Sequence, residues 1–286
     1  MRRKVILLVL SVLAVPAFGQ RIGLDRYPVF ELETTHIFKS DVKRDSGSLS
    51  MWEYDLYTSM AIEASDGWWL GTRPSYRLRT ISDSTRLDLP SSLHQFSLPI
   101  FLQSPRGEEG WLENWSARVT LSPRFGTDLD NTGSDAWFLD GSVGLIYRYD
   151  QTLSLLIGVV YKDAINDLII PAVGVDWEPS EQWRVFLMPP RPRIYYRPVE
   201  TFRCWLGFEF TRDTYAVEIE STGRNDRLEI RDYRTILGAE WLFTSQASVS
   251  LEGGYLFGRE LKYDRFGESR DLENAAMARL AFRIRI

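Results

Sequence analysis

The chain reads as all-β: a transmembrane, antiparallel up-and-down β-barrel of about fourteen strands, with twelve as the alternative. Three observations predict it. Apolar and polar residues alternate with period two over stretches of ten or more residues. The connections between those stretches alternate in length. Four of the short ones open on Trp or Tyr, as in W-E-P-S-E-Q-W at 177–183.

The first 19 residues are expected to be a cleaved export signal. Arg2, Arg3 and Lys4 precede an apolar run from Val5 to Val15, and Ala17-Phe18-Gly19 places small residues at the cleavage positions before Gln20. Residues 20–286 then form a single domain with 31 basic and 39 acidic residues, a net charge of −8. That balance argues against a nucleic-acid partner. The one cysteine, Cys204, rules out an internal disulfide and shares a row with the apolar Phe202, Leu206 and Phe208, so an inert, buried thiol is expected. No later apolar run approaches the length of a membrane helix. Mean hydropathy is slightly negative, yet Trp occurs ten times. Strands with one face to lipid and one to water reconcile the two.

The alternation locates the strands. At 51–62, Trp52, Tyr54, Leu56, Met60 and Ile62 oppose Glu53 and Asp55. At 231–243, Tyr233, Leu237, Trp241 and Phe243 oppose Asp232, Arg234 and Glu240, and at 247–257 Val249, Leu251, Tyr255 and Phe257 oppose Glu252. The last strand sets Leu280, Phe282, Ile284 and Ile286 against Arg279, Arg283 and Arg285. Longer, polar connections are expected at 39–50, 80–92, 126–135, 221–227 and 263–271. Tight ones fall between them at A-S-D-G, Y-R-Y-D-Q-T, W-E-P-S-E-Q-W, Y-R-P-V-E-T-F and F-T-S-Q. A membrane barrel has short periplasmic turns, long external loops and aromatic girdles at both interfaces. Tyr147, Trp177, Trp183, Tyr196 and Trp241 are therefore expected to form one periplasmic girdle. Two places strain the pattern. The strands near 183–189 and 192–197 are short and proline-broken, and Pro171 lies inside an apolar run where a bulge is expected. A soluble β-sandwich would also alternate, but with shorter strands and without loops sorted to two ends.

The run L-I-I-P-A-V-G-V-D-W-E-P-S-E-Q-W, the Y-R-P turn after R-I-Y, and L-E-G-G-Y-L-F-G-R-E resemble an uncharacterised family of bacterial outer-membrane β-barrels, a domain of unknown function, over about residues 110–286. The resemblance implies the barrel and its location and brings no catalytic residues. The terminal Ile286 departs from barrels generally, where an aromatic is usual for recognition by the assembly machinery, an expected partner along with membrane lipid. Phe282 is the nearest substitute.

Motifs for chemistry are few. A barrel hydrolase needs Ser, His and an orienting Asn or Asp together. Only His36 and His94 exist, both on outward rows, and Ser97 lies on the face opposite His94. D-L-D-N-T-G-S-D at 128–135 resembles a calcium loop at Asp128, Asp130 and Gly133. Thr132 and the missing distal Glu spoil it, so a solvated external loop is expected. Gly253-Gly254 reads as close strand packing or curvature. No cofactor or metal site is expected.

The inward charges are the remaining signal. Glu53, Asp55, Arg73, Arg77, Arg79, Arg234, Glu240, Glu252 and Arg279 would line the lumen. Buried in a dry core they would cost several kcal/mol each, so a watery lumen or a dense ion-pair network is required. A fourteen-strand lumen is too wide for side chains alone to fill. The segment between Gln20 and the first strand is too short to plug it, leaving only the external loops. Closure is expected between the first and last strands, with Glu31 and Glu33 paired to Arg283 and Arg285. The leading functional reading is a porin-like channel for small polar solutes, without covalent chemistry. The alternatives are a closed structural or surface-binding barrel and, third, a lipid-modifying enzyme.

Overall fold

The computed structural model describes residues 28–43, 47–85, 87–265 and 269–286. The expected export signal lies outside these residues. Fourteen antiparallel strands close into a single barrel. They are β1 (Val29–Asp41), β2 (Ser48–Ser65), β3 (Trp68–Thr72 and Ser75–Asp83), β4 (Ser92–Ser97 and Ile100–Gln103), β5 (Trp115–Thr127), β6 (Trp137–Arg148) and β7 (Leu153–Lys162). The second half is β8 (Leu168–Trp177), β9 (Trp183–Leu187), β10 (Arg193–Val199), β11 (Phe202–Ile219), β12 (Arg224–Leu242), β13 (Ala247–Tyr263) and β14 (Ser269–Asp271 and Ala275–Arg285). β3 and β4 are each interrupted at a proline, Pro74 and Pro99, where a ladder donor is missing.

β1 pairs with β14 from Val29↔Arg285 to Ile37↔Met277, leaving no edge at the seam. Six turns lie at the end where β1 starts and β14 finishes. Five are tight, and 104–114 is a longer segment containing the short 3-10 helix Gly110–Leu112. The sorting of loops holds with one further correction. The 221–227 loop is a tight turn at 220–223, because β11 and β12 run 18 and 19 residues and carry the hairpin beyond its neighbours.

The outward rows are a continuous apolar belt. Leu155, Ile157, Leu237, Leu251 and Leu280 point away from the barrel and are exposed, which only a hydrocarbon surrounding makes favourable. Folded protein is accordingly expected to fractionate with outer membranes and to migrate faster unboiled than boiled. Recovery from the soluble periplasm would contradict a membrane barrel.

The inside is not one open tube. β10 accompanies β11 only as far as Arg193↔Gly207. The β9–β10 connection follows it a little further, the Pro192 and Pro190 carbonyls accepting from the N–H groups of Phe208 (3.0 Å) and Phe210 (3.2 Å). Beyond Phe210 β11 leaves the wall, crosses the barrel and pairs parallel with β5 at Ala216↔Thr127. Three bonds flank this contact: the Asp128 N–H donates to the Ala216 carbonyl (3.2 Å), Arg124 donates to the Thr214 carbonyl (3.0 Å), and the Glu218 N–H donates to the Asp128 carboxylate (2.7 Å). The crossing closes a smaller ring of nine strands, β11 to β14 and β1 to β5. That ring is narrow enough for side chains to fill. At its loop end Ile37, Leu49, Met51, Leu93, Val217 and Leu228 form a buried apolar core.

Asp128 therefore contradicts the expected solvated loop. It is buried, its Oδ1 accepts from the N–H groups of Asp130 and Asn131, and its Oδ2 holds β11. Pro171 is a second correction. The β7–β8 register runs without a bulge from Leu168↔Lys162 to Trp177↔Leu153. Proline is tolerated because β9 pairs with β8 only from Val175 to Trp177, so the missing N–H faces a side that has no ladder.

Candidate functional site

Below the apolar core the inward carboxylates and guanidiniums form a layered ion-pair network. Its upper layer joins β2, β3, β11 and β12. Glu53 accepts from Arg79 (2.8 Å) and twice from Arg234 (2.8 and 2.9 Å). Arg79 also donates to Asp213 (2.8 Å) and the Tyr215 hydroxyl (3.0 Å), and Arg77 bridges Asp55 (2.6 Å) and Asp213 (2.8 Å). Arg79, Arg234 and Glu53 are at most 2% exposed. At that burial, charges are tolerable only with every partner in place. Asp232 links Arg234 (3.3 Å) to Arg259 (3.1 Å).

The lower layer crosses from β14 and β13 to β11 and β10. Arg279 donates to both oxygens of Glu209 (3.0 Å each), to Glu252 (2.7 Å) and to Thr35 (2.9 Å). Arg193 reaches Glu209 and Glu252, both at 3.1 Å. Arg191, from the proline-rich β9–β10 connection, reaches Glu209 (3.4 Å) and Glu33 (3.8 Å). Trp205 donates to Glu252 (3.2 Å) and lies under the Arg193 guanidinium. Its ring occupies the space a side chain at Gly238 would need, 2.4 Å from where a Cβ would stand. Gly238→Ala is expected to displace Trp205 and cost about 1–3 kcal/mol, the usual range for overpacking. An unchanged urea midpoint together with an unchanged tryptophan emission spectrum would contradict this.

Toward the turn end lies a cavity of about 570 Å³, open at that mouth and lined by Glu31, Glu33, Arg193, Trp205, Glu252 and Arg283, among others. Its floor is the lower ion-pair layer. Arg203 and Glu240 pair on its wall, and Glu240 also accepts from Ser248 (2.6 Å).

Eight of the nine expected lumen charges sit in this network. The ninth, Arg73, is exposed where β3 breaks, with its guanidinium 4.1 Å from the Tyr57 ring centre. The seam is half as expected. Glu31 faces Arg283 and bonds to it at 2.6 Å. Glu33 instead faces Ala281 and turns to Arg191 and Arg279, while Arg285 faces Val29. Reversing Glu31 to Lys should therefore slow barrel assembly, and Arg283→Glu should restore it. The same exchange between Glu33 and Arg285 should restore nothing, and an equal rescue there would contradict the register.

The sequence pattern missed Glu209, Asp213, Arg191 and Arg259. Glu209 and Asp213 were within reach of it, because they lie on the row opposite Phe202, Leu206 and Phe208. Arg259 was hidden by a bulge. Gly258, at φ +56°, adds a residue between Arg231↔Glu260 and Tyr233↔Phe257 and turns Arg259 inward. Gly254 does mark close packing, with the Thr235 carbonyl 2.8 Å from its Cβ position, while Gly253 faces open space.

The expected girdle residues all lie at the turn end. Trp183 packs against Tyr196 across β9–β10 with the rings tilted (4.7 Å), Tyr147 against Trp115 likewise (4.9 Å), and Trp241 faces Phe202 across the β11–β12 register. The two histidines stay on the outer surface. His94 bonds to the Tyr76 hydroxyl (2.8 Å), and His36 packs between Phe38 and Trp52. Cys204 is half-buried and not fully buried as expected, because its row faces outward, and its thiol donates to the Tyr196 carbonyl (3.6 Å).

A closed barrel with a lipid-facing apolar belt, interfacial aromatics and a polar interior is a transmembrane β-barrel of the bacterial outer-membrane type. Residues 109–276, more than half of the chain, match the family of a domain of unknown function, DUF6268, and the chain belongs to that family. No curated protein matches the sequence. Among solved structures, the fold resembles the COG4313 outer membrane channel from Pseudomonas putida F1, at 12% identity and a TM-score of 0.49, covering 96% of this chain and 100% of that one. It also resembles the NanC porin (10%, 0.42; 90% and 100%) and the P. putida toluene transporter TodX (9%, 0.43; 91% and 90%).

Proposed function

We propose that the protein is an outer-membrane channel for small polar solutes whose resting conformation is closed, and that it carries out no covalent chemistry. The observation that supports this most is the turn-end cavity. Its volume falls within the roughly 300–1,000 Å³ of small-molecule sites. Its lining alternates carboxylates with guanidiniums, which suits a polar solute of mixed or balanced charge. The cavity ends on side chains, above all Arg193, Trp205 and Glu252, which belong to the lower ion-pair layer. Passage requires those ion pairs to exchange partners and the β11–β12 hairpin to withdraw from β5.

Planar-bilayer recording tests this. Purified protein should be mostly silent, with brief openings whose ion selectivity changes when Arg193 is replaced by Gln. A second reading, a permanently closed structural or surface-binding barrel, is favoured by the buried apolar core above the ion pairs. Silence of the wild type and of every hairpin-release variant would support that reading over the channel.

A further inference from the structure

One wall of the turn-end cavity is aromatic and cationic. On three successive strands an inward arginine stands two residues before an inward ring: Arg184 and Phe186 on β9, Arg193 and Tyr195 on β10, Arg203 and Trp205 on β11. Residues i and i+2 share a strand face, so each pair points into the barrel together. The guanidiniums lie over the rings, at 5.5 Å for Arg184 on Phe186, 5.2 Å for Arg193 on Trp205 and 5.4 Å for Arg203 on Tyr195. Trp205 is buried between Arg193 and Gly238, whereas Tyr195 is half-buried and lines the cavity. The adjoining wall carries small side chains, Ser248 and Ser250 on β13 and Ala281 on β14, and these leave the space. Arg203, Glu240, Ser250 and Ala281 are successive register partners across four strands.

The lining is nearly neutral, and its deep charges are already matched. Among the described residues, seven glutamates and six arginines line it. Arg193 holds Glu252 (3.1 Å), Arg283 holds Glu31 (2.6 Å) and Arg203 holds Glu240. A charged solute would have to take one partner from such a pair and leave the other charge uncompensated, which is costly where the pair is buried. Glu181, Arg197 and Glu200, which make no ion pair among the described residues, are exposed at the mouth, where water and salt screen them. An uncharged solute disturbs no pair and meets unused hydrogen-bonding capacity. Arg203 bonds to Glu240 through Nε, which leaves both terminal amino groups as donors. Glu240 accepts one bond at each oxygen, from Arg203 and Ser248, of the roughly four that a carboxylate can take. The hydroxyls of Tyr195 and Ser250 have no bonding partner among the described residues.

We propose that the turn-end cavity binds an uncharged sugar, a mono- or disaccharide by the size of the site, with a ring face against Tyr195 and hydroxyls on Arg203, Glu240 and Ser250. A pyranose suits this combination because it carries hydroxyl groups around its rim and C–H bonds on its faces. The C–H bonds fit the negative face of an aromatic ring. Each rim hydroxyl both donates and accepts, as a carboxylate beside a guanidinium requires. The sugar is the solute class of the channel proposed above, and the assignment rests on that reading. Binding is measured on the closed barrel, so the two fail separately.

Saturation-transfer NMR on the full-length protein tests this, in micelles of an amine-oxide detergent so that no glycoside competes. The probes are glucose, galactose, maltose and lactose, together with glucuronate and glucosamine, which add a negative or a positive charge to the same ring near neutral pH. At least one neutral sugar should bind, with the protons of one ring face receiving most of the saturation. Glucuronate and glucosamine should bind about tenfold or more weakly than the best neutral sugar. Tyr195→Ala and Ser250→Phe, which fills the cavity, should each weaken binding by about tenfold or more, and Tyr195→Phe should retain most of it. Unboiled gel migration confirms folding of each variant. Absence of binding by every neutral sugar would overturn the proposal. So would tighter binding of glucuronate or glucosamine, or binding that both Tyr195→Ala and Ser250→Phe leave unchanged. None of these results touches the channel reading, which conductance decides. Silent hairpin-release variants that still bind sugar would remove the channel and keep the site.

Discussion

Removing the clasp between β11 and β5 should turn a silent barrel into a conducting one. In R124A/D128A the hairpin loses the Arg124–Thr214 and Asp128–Glu218 bonds, and the loop that presents the Asp128 N–H to Ala216 loses its internal support. Two to three such bonds at about 1 kcal/mol each amount to roughly 2–3 kcal/mol. If closure is a two-state equilibrium, that raises the open-to-closed ratio by about 30- to 150-fold at 1.36 kcal/mol per decade. The hairpin stays tethered by its own strands, so the barrel should still fold and shift on gels when boiled. Planar-bilayer recording reads the change directly. An unchanged open probability in a folded double variant would mean that the crossing is no gate.

The second large effect concerns the Glu53–Arg234 pair. Arg234→Leu leaves Glu53 with Arg79 alone, and Glu53→Leu leaves Arg234 with only Asp232, which Arg259 already shares. Breaking a buried pair by removing one partner costs about 3–5 kcal/mol. The double variant E53L/R234L should cost far less than the sum, because every remaining charge keeps a partner. Arg79 retains Asp213 and Tyr215, and Asp232 retains Arg259. Urea unfolding of vesicle-inserted protein, followed by tryptophan fluorescence, should give a coupling of about 2–3 kcal/mol. Simple additivity would mean that water screens this layer and that the lumen is wet.

Strand period, loop sorting and girdle residues were legible because each reports a local constraint. An outward residue meets lipid at every strand, so Leu237 and Leu251 announce their face without reference to the rest of the chain. Glu53 and Arg79 were legible as inward charges for the same reason. The partner of Arg79 across the barrel was not, because Asp213 reaches it only once β11 leaves the wall. That departure is a non-local event. It is set by the length of β11 and β12 relative to β9 and β10, and by a backbone contact between residues 127 and 216. The proline at 171 was visible in the sequence and its meaning was not. A bulge and a missing neighbour both tolerate it, and only the pairing of β9 distinguishes them. Asp128 was likewise read as a loop acid because its acceptor role depends on the Glu218 N–H, ninety residues away.

The crossing of β11 to β5 underlies the closed lumen and the nine-strand core alike. It is tested most directly by a cross-link between Thr127 and Ala216, which are register partners in a parallel pair. Neighbouring strands lie about 4.8 Å apart, within the ~4.4–6.8 Å Cα separation a disulfide spans. In a Cys204→Ala background, T127C/A216C should therefore form an intramolecular disulfide nearly quantitatively on mild oxidation in outer membranes, and the cross-linked barrel should remain silent in bilayers. Free thiols at both positions in folded, oxidised protein would contradict the crossing and everything built on it.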